Sequence, residues 1–102
     1  MARTIAASVG KGGVNRKDDS MTVQELLNGV PPEEGGPAPP LKVDGLPWQK
    51  TIAAIQNFQR VALGFKWPDG RVDPAGKTLA RLNAYDAPVV AEELPPGPIW
   101  LV

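Results

Sequence analysis

Twelve prolines in 102 residues constrain this chain more than any other feature. Proline inside a helix removes a backbone donor and clashes with the preceding turn. Eleven glycines add to the interruption. The two types together are about twice as frequent as in an average globular chain. Helices must therefore be short, the core compact, and much of the chain loop or extended arm. Residues 31–40, Pro-Pro-Glu-Glu-Gly-Gly-Pro-Ala-Pro-Pro, read as a stiff extended loop with no means of packing.

Three windows keep helical periodicity. In the first, Val23, Leu26, Leu27 and Val30 fall at i, i+3, i+4 and i+7, a one-sided apolar stripe. Asn15 is the expected cap, Asp18 favours the N-terminal dipole, and Gly29 is the expected left-handed stop before Pro31-Pro32. The second runs from about Gln49 to Leu63 with Ile52, Ile55, Phe58 and Ala62 inward, and Gly64 ends it. For the third, Asp73-Pro74 is a cap and first-turn pair. Leu79 and Leu82 face the core, and the helix ends near Asn83.

Between the helices, Asp44-Gly45 and Asp69-Gly70 are tight-turn dipeptides. Each is followed by a threonine, Thr51 and Thr78, and then an apolar-periodic stretch. Two such copies read more simply as shared local capping chemistry than as a solenoid, which needs three or more units. Near the N-terminus, Ile5, Ala7 and Val9 alternate with Thr4, Ala6 and Ser8, a short half-buried strand pattern. Gly10-Lys11-Gly12-Gly13 matches neither phosphate-binding glycine pattern and is read as a turn.

Charge and composition remove several function classes. Eleven basic residues balance eleven acidic ones. No basic excess is available for general nucleic-acid binding or for a polybasic membrane surface. There is no cysteine and no histidine, which removes disulfides, thiolate and histidine-based nucleophile systems, and the commonest metal ligand. Asp69 and Asp73 lack the further oxygen ligands of a calcium loop. Glu33-Glu34 and Glu92-Glu93 lie in loop and tail without a fixed pocket to tune them for glycoside hydrolysis. No cofactor, metal or catalytic residue is expected. No signal-peptide core or membrane span is visible. The expectation is synthesis in the cytoplasm, with any work outside it depending on another delivery route.

Two stretches carry a resemblance. Thr22-Val23-Gln24-Glu25-Leu26-Leu27-Asn28 is one. The other is Leu41-Lys42-Val43-Asp44-Gly45 followed by Lys50-Thr51-Ile52-Ala53-Ala54-Ile55-Gln56-Asn57-Phe58-Gln59. In order and spacing they resemble the peptidoglycan-binding-domain family, a small three-helix cell-wall-binding module. Asp69-Gly70-Arg71-Val72-Asp73-Pro74 and the opening Ser8-Val9-Gly10-Lys11-Gly12-Gly13 are similar to a stand-alone bacterial subgroup of it. The resemblance spans about residues 8–83. It departs at the entrance to the second helix, where Trp48 and Gln49 stand in place of the family's Gly-Pro.

The resemblance implies an all-α fold: a three-helix bundle over residues 15–83, an N-terminal arm over 1–14 and a proline-rich tail over 84–102. It also implies non-catalytic binding of peptidoglycan at a groove formed by Asp44, Gly45, Trp48, Gln49, Thr51 and Gln59. Thr51 is expected to bond the turn backbone and Gln59 to lie at the groove. Trp48 has two readings, cover for the core edge or a stacking platform for a sugar ring. The alternative function is a protein-interaction adaptor or accessory protein for a secreted effector or lytic enzyme on the same scaffold. The apolar ending Ile99-Trp100-Leu101-Val102 fits either a segment folded back beside Ile5, Ala7 and Val9 or one handed to a partner by strand addition.

Overall fold

The computed structural model describes residues 3–86. Three helices form where the apolar stripes predict them: α1 (Lys17–Asn28), α2 (Gln49–Ala62) and α3 (Lys77–Asp86). Val23, Leu26, Leu27 and Val30 are all buried, as are Ala54, Ile55, Phe58, Leu79 and Leu82. They form one cluster, with the ring of Tyr85 meeting Phe58 edge-on at 6.1 Å. Ile52 and Ala62 are only partly buried.

The fold is not purely helical. Two short strands, β1 (Val9–Gly10) and β2 (Arg71–Val72), pair antiparallel with Val9 opposite Val72 and Gly10 opposite Arg71. Of the alternating residues 4–9 only Val9 becomes strand. Its partner is the second turn region, and Ile99–Val102 lie outside the described residues. Ile5 and Val9 nevertheless reach the core. The segment expected as an N-terminal arm with a half-buried strand is thus an integral wall of the domain. The Asp19 carboxylate, itself buried, accepts from the Ala6 and Ala7 N–H groups at 3.0 Å each, which holds that wall against α1. At Gly10, with φ +112°, a Cβ would collide with the Gly70 carbonyl, so only glycine lets the two chains approach.

Several local expectations give way to other chemistry. Asn15 does not cap α1; the N-cap is Arg16, with no side-chain cap. Asn15 instead sits at φ +64°. Its carboxamide accepts from Gly10 N–H at 2.7 Å and donates to the Gly10 and Gly13 carbonyls at 3.1 Å each. Gly29 closes α1 in the right-handed region, at φ −81°. Asp73-Pro74 precedes α3 as a turn, with Gly76 N–H donating to Asp73 O, and the helix starts at Lys77. It runs through Asp86, past Asn83, so residues 84–86 belong to the helix and not to the tail. The proline loop does pack. Pro32–Glu34 forms a 3-10 turn, and Gly35 and Gly36 are buried. A Cβ on Gly35 would press on Phe58 and Val61, and one on Gly36 would strike the Val30 carbonyl.

With so much irregular backbone, many N–H and C=O groups lack a ladder partner and need one elsewhere. Carboxamides supply it, because each carries both a donor and an acceptor. The Asn28 carboxamide accepts from Leu41 N–H (2.7 Å) and donates to the Leu41 carbonyl (2.8 Å). Asn83 does the same to Arg3, at 2.8 and 2.9 Å, tying the N-terminal segment to α3. The two remaining clamps, Gln24 and Gln59, build the candidate site and its counterpart.

Candidate functional site

Gln24 projects from the middle of α1 and is 1% exposed. A buried amide is costly unless every polar atom finds a partner. Its Oε1 accepts from the N–H groups of Asp44 (3.1 Å) and Gly45 (2.9 Å). Its Nε2 donates to Asp44 Oδ1 (3.1 Å), Leu46 O (3.3 Å) and Thr51 Oγ1 (3.1 Å). One side chain thereby fixes the turn and ties it to the first turn of α2. Gly45 lies at φ +74°, as the turn requires. Asp44 Oδ1 also accepts from Leu46 N–H at 2.9 Å. That bond first, and the Gln24 amide second, hold its carboxyl below the ordinary carboxylate range against a smaller opposing effect of desolvation.

A groove of about 470 Å³ opens beside this turn, walled by Leu41, Lys42, Leu46, Trp48, Gln49 and Lys50, with Gln24, Asp44 and Thr51 along its edge. Trp48 is the N-cap of α2 and is 59% exposed. It does not cover the core edge, and its ring is available at the surface. No side chain caps the first turn of α2, whose leading N–H groups have no partner within the helix.

The second Asp-Gly turn is built the same way. Gln59, fully buried on α2, accepts from Gly70 N–H at 3.0 Å. It donates to Asp69 Oδ1 (2.7 Å), Arg71 O (3.1 Å) and Thr78 Oγ1 (3.1 Å). Asp69 accepts in addition from Arg71 N–H at 3.0 Å. Partial burial pushes its carboxyl upward, but the Gln59 amide, the Arg71 N–H and the Arg71 charge outweigh that and the net direction is down. Asp73 is committed to Arg71 at 3.0 Å, and among the described residues no acidic group gathers into a metal-binding set.

Of the six expected binding residues, Asp44, Trp48, Gln49 and Thr51 line one groove, and Gly45 forms the turn beneath it. Thr51 is held by the Gln24 side chain, not by the turn backbone. Gln59 is not at the groove: it is the sealed centre of the second turn. Ile99, Trp100 and Leu101 lie outside the described residues. Sequence reasoning did not single out Gln24, Leu41, Lys42, Leu46 and Lys50. The signal for Gln24 was present in its echo, since Val23-Gln24 and Phe58-Gln59 each precede an Asp-Gly turn and then a threonine.

No protein-family model matches the chain, and neither a curated protein nor a solved structure was found to match it. Among the described residues no helix is long and apolar enough to cross a membrane.

Proposed function

We propose that this protein is a non-catalytic module that binds peptidoglycan through the groove beside Asp44-Gly45. The observation that carries the proposal is Trp48, exposed at the mouth of a groove that also presents Lys42, Asp44, Gln49 and Lys50. An aromatic face stacks on the C–H face of a sugar, and a few polar groups beside it fix orientation, which is the usual composition of a small-ligand site. The sequence resemblance to cell-wall-binding modules supports the same choice of polymer. Gln24 gives the groove a rigid edge, since its five hydrogen bonds set the turn and α2 at one spacing.

Retention on insoluble sacculi tests the proposal. The chain is expected to co-sediment with micromolar-range affinity, as suits about one small groove. Absence of co-sedimentation at tens of micromolar protein overturns it. In that case Trp67, 82% exposed and outside this groove, favours a protein-interaction adaptor, the second function this scaffold supports.

A further inference from the structure

The groove does not end at Lys50. A second groove, of about 680 Å³, lies between the proline loop and α2. Its walls are Pro32, Gly36–Leu41, Ala53 and Ala54, with Asn57 as a polar member. Leu41, Lys42 and Lys50 line both grooves. The lysines are exposed, and among the described residues neither forms a salt bridge. Among the described residues Asp44 is the one acidic side chain along the walls of the two grooves, and its Oδ1 is already occupied by Gln24 and Leu46. Excess positive charge therefore sits at the junction between a polar, tryptophan-edged half and an apolar half made of proline, alanine and glycine.

We infer that Lys42 and Lys50 form a carboxylate subsite joining the two grooves, which takes an acidic peptide whose neighbouring small aliphatic side chain lies against Pro37–Leu41 and Ala53–Ala54. This rests on the wall-binding proposal and names the part of the polymer read there: the acidic, alanine-containing stem peptide, with the sugar at Trp48. Charge complementarity selects the carboxylate. The shallow walls of alanine, glycine and proline suit a methyl group better than a long side chain.

Binding of the full chain to a synthetic N-acetyl-L-alanyl-γ-D-glutamyl-L-lysyl-D-alanine peptide, acylated at its amine as the stem peptide is, followed by amide chemical-shift titration, tests this. Shifts are expected at Leu41, Lys42, Lys50, Ala53 and Asn57. Lys42→Gln and Lys50→Gln are each expected to weaken binding about three- to fivefold, the size of an exposed ion pair. Lys→Arg at either position should restore most of it. Amidating the glutamyl carboxylate should weaken binding to a similar degree. Thermal melts of both glutamine variants should match the parent, since both side chains are exposed. Unchanged affinity in the double glutamine variant, shifts confined to the Trp48 side, or equal binding of the amidated peptide overturns the subsite. Inorganic phosphate displacing bound sacculi while the peptide fails to bind also overturns it. The two proposals fail separately. Sacculus retention without peptide binding leaves the wall-binding function and removes the subsite. Peptide binding without sacculus retention does the reverse.

Discussion

The two Asp-Gly turns use one device for two ends. In each, a buried glutamine from the preceding helix holds the aspartate, the glycine N–H, a carbonyl just beyond and the next helix's threonine. At the second turn the chain continues as β2 and pairs with β1, while Gly10 packs against Gly70 and Lys11 N–H donates to Gly70 O at 2.9 Å. That copy is closed by the chain's own N-terminal segment. Among the described residues no strand arrives at the first turn, and Leu46 and Trp48 are exposed beside the groove. An identical local solution is thus structural where the chain covers it and available for binding where it does not.

The largest effect expected from breaking this comparison is at Gln59. Gln59→Leu leaves Thr78 and the Gly70 N–H without their buried partner and strips the half-buried Arg71 carbonyl of its amide, and stability should fall by about 3–4 kcal/mol. Gln24→Leu should cost somewhat less, about 2–3 kcal/mol, because Leu46 is exposed and can turn to water where its counterpart Arg71 is half-buried. Denaturant melts give both values. The functional consequence should differ in kind. Measured where both variants remain folded, sacculus retention should disappear in Gln24→Leu and persist in Gln59→Leu. Equal loss of binding in both would mean that the second turn also contributes to the site.

Next in size are the turn glycines. Gly45 and Gly70 have φ of +74° and +70°. Alanine at either is strained by about 1–2 kcal/mol. Gly45 is the more crowded, since its Cβ would strike Lys17 Cγ and press on the Lys17 carbonyl; at Gly70 it would only press on Ile52 and Gln56. Gly45→Ala should therefore be the worse of the two by denaturant titration. A reversed order would mean that the α1 face beside the open turn gives way more easily than the closed one.

The acid limb of stability should be shared by the two turns. Asp44 and Asp69 both ionise below the ordinary value of 3.8. A folded-state value below the unfolded one gives stability that is complete above the ordinary value and is lost as pH falls through the depressed one. The loss should begin near pH 4 and deepen below it. Asp44→Asn and Asp69→Asn should each be less stable than the parent at pH 7, with the gap narrowing by pH 3 in unfolding measurements. Gaps that stay constant with pH would assign the aspartates' role to geometry alone.

How legible these turns were depended on how many roles each residue type can fill. The stripe at Val23, Leu26, Leu27 and Val30 admits one interpretation, burial, and all four are buried. Gly45 and Gly64 were read as turn and stop, and both have positive φ. Asn15 and Asp73 stood where caps belong, yet the same oxygens can serve a loop, and tertiary contacts decide which. Gln24 and Gln59 were harder still. A polar residue beside a helical stripe looks like its solvent edge, and only the paired recurrence of glutamine, Asp-Gly and threonine marks it as interior. Trp48 was opaque for the opposite reason: hydrophobicity argues for burial, while its position as N-cap, next to a turn that no strand among the described residues covers, leaves it exposed.

The smallest expected effect on stability is also the sharpest test of the open turn. Trp48→Ala removes a ring that is 59% exposed, so the melt should shift by no more than about 0.5 kcal/mol, as at ordinary surface positions. Sacculus retention should nonetheless be lost, because the stacking platform goes with the ring. Trp67→Ala is the matched control. It removes the same side chain beside the closed turn, from a position 82% exposed, where Lys66 lies 5.9 Å from the ring centre. It should change neither stability nor retention. Trp48→Phe should recover part of the binding, since a smaller ring still offers a face. If both alanine variants bind sacculi like the parent, the open turn is not the wall-binding surface. If both lose retention with unchanged melts, the two turns act together, and the distinction between a covered and an available copy fails.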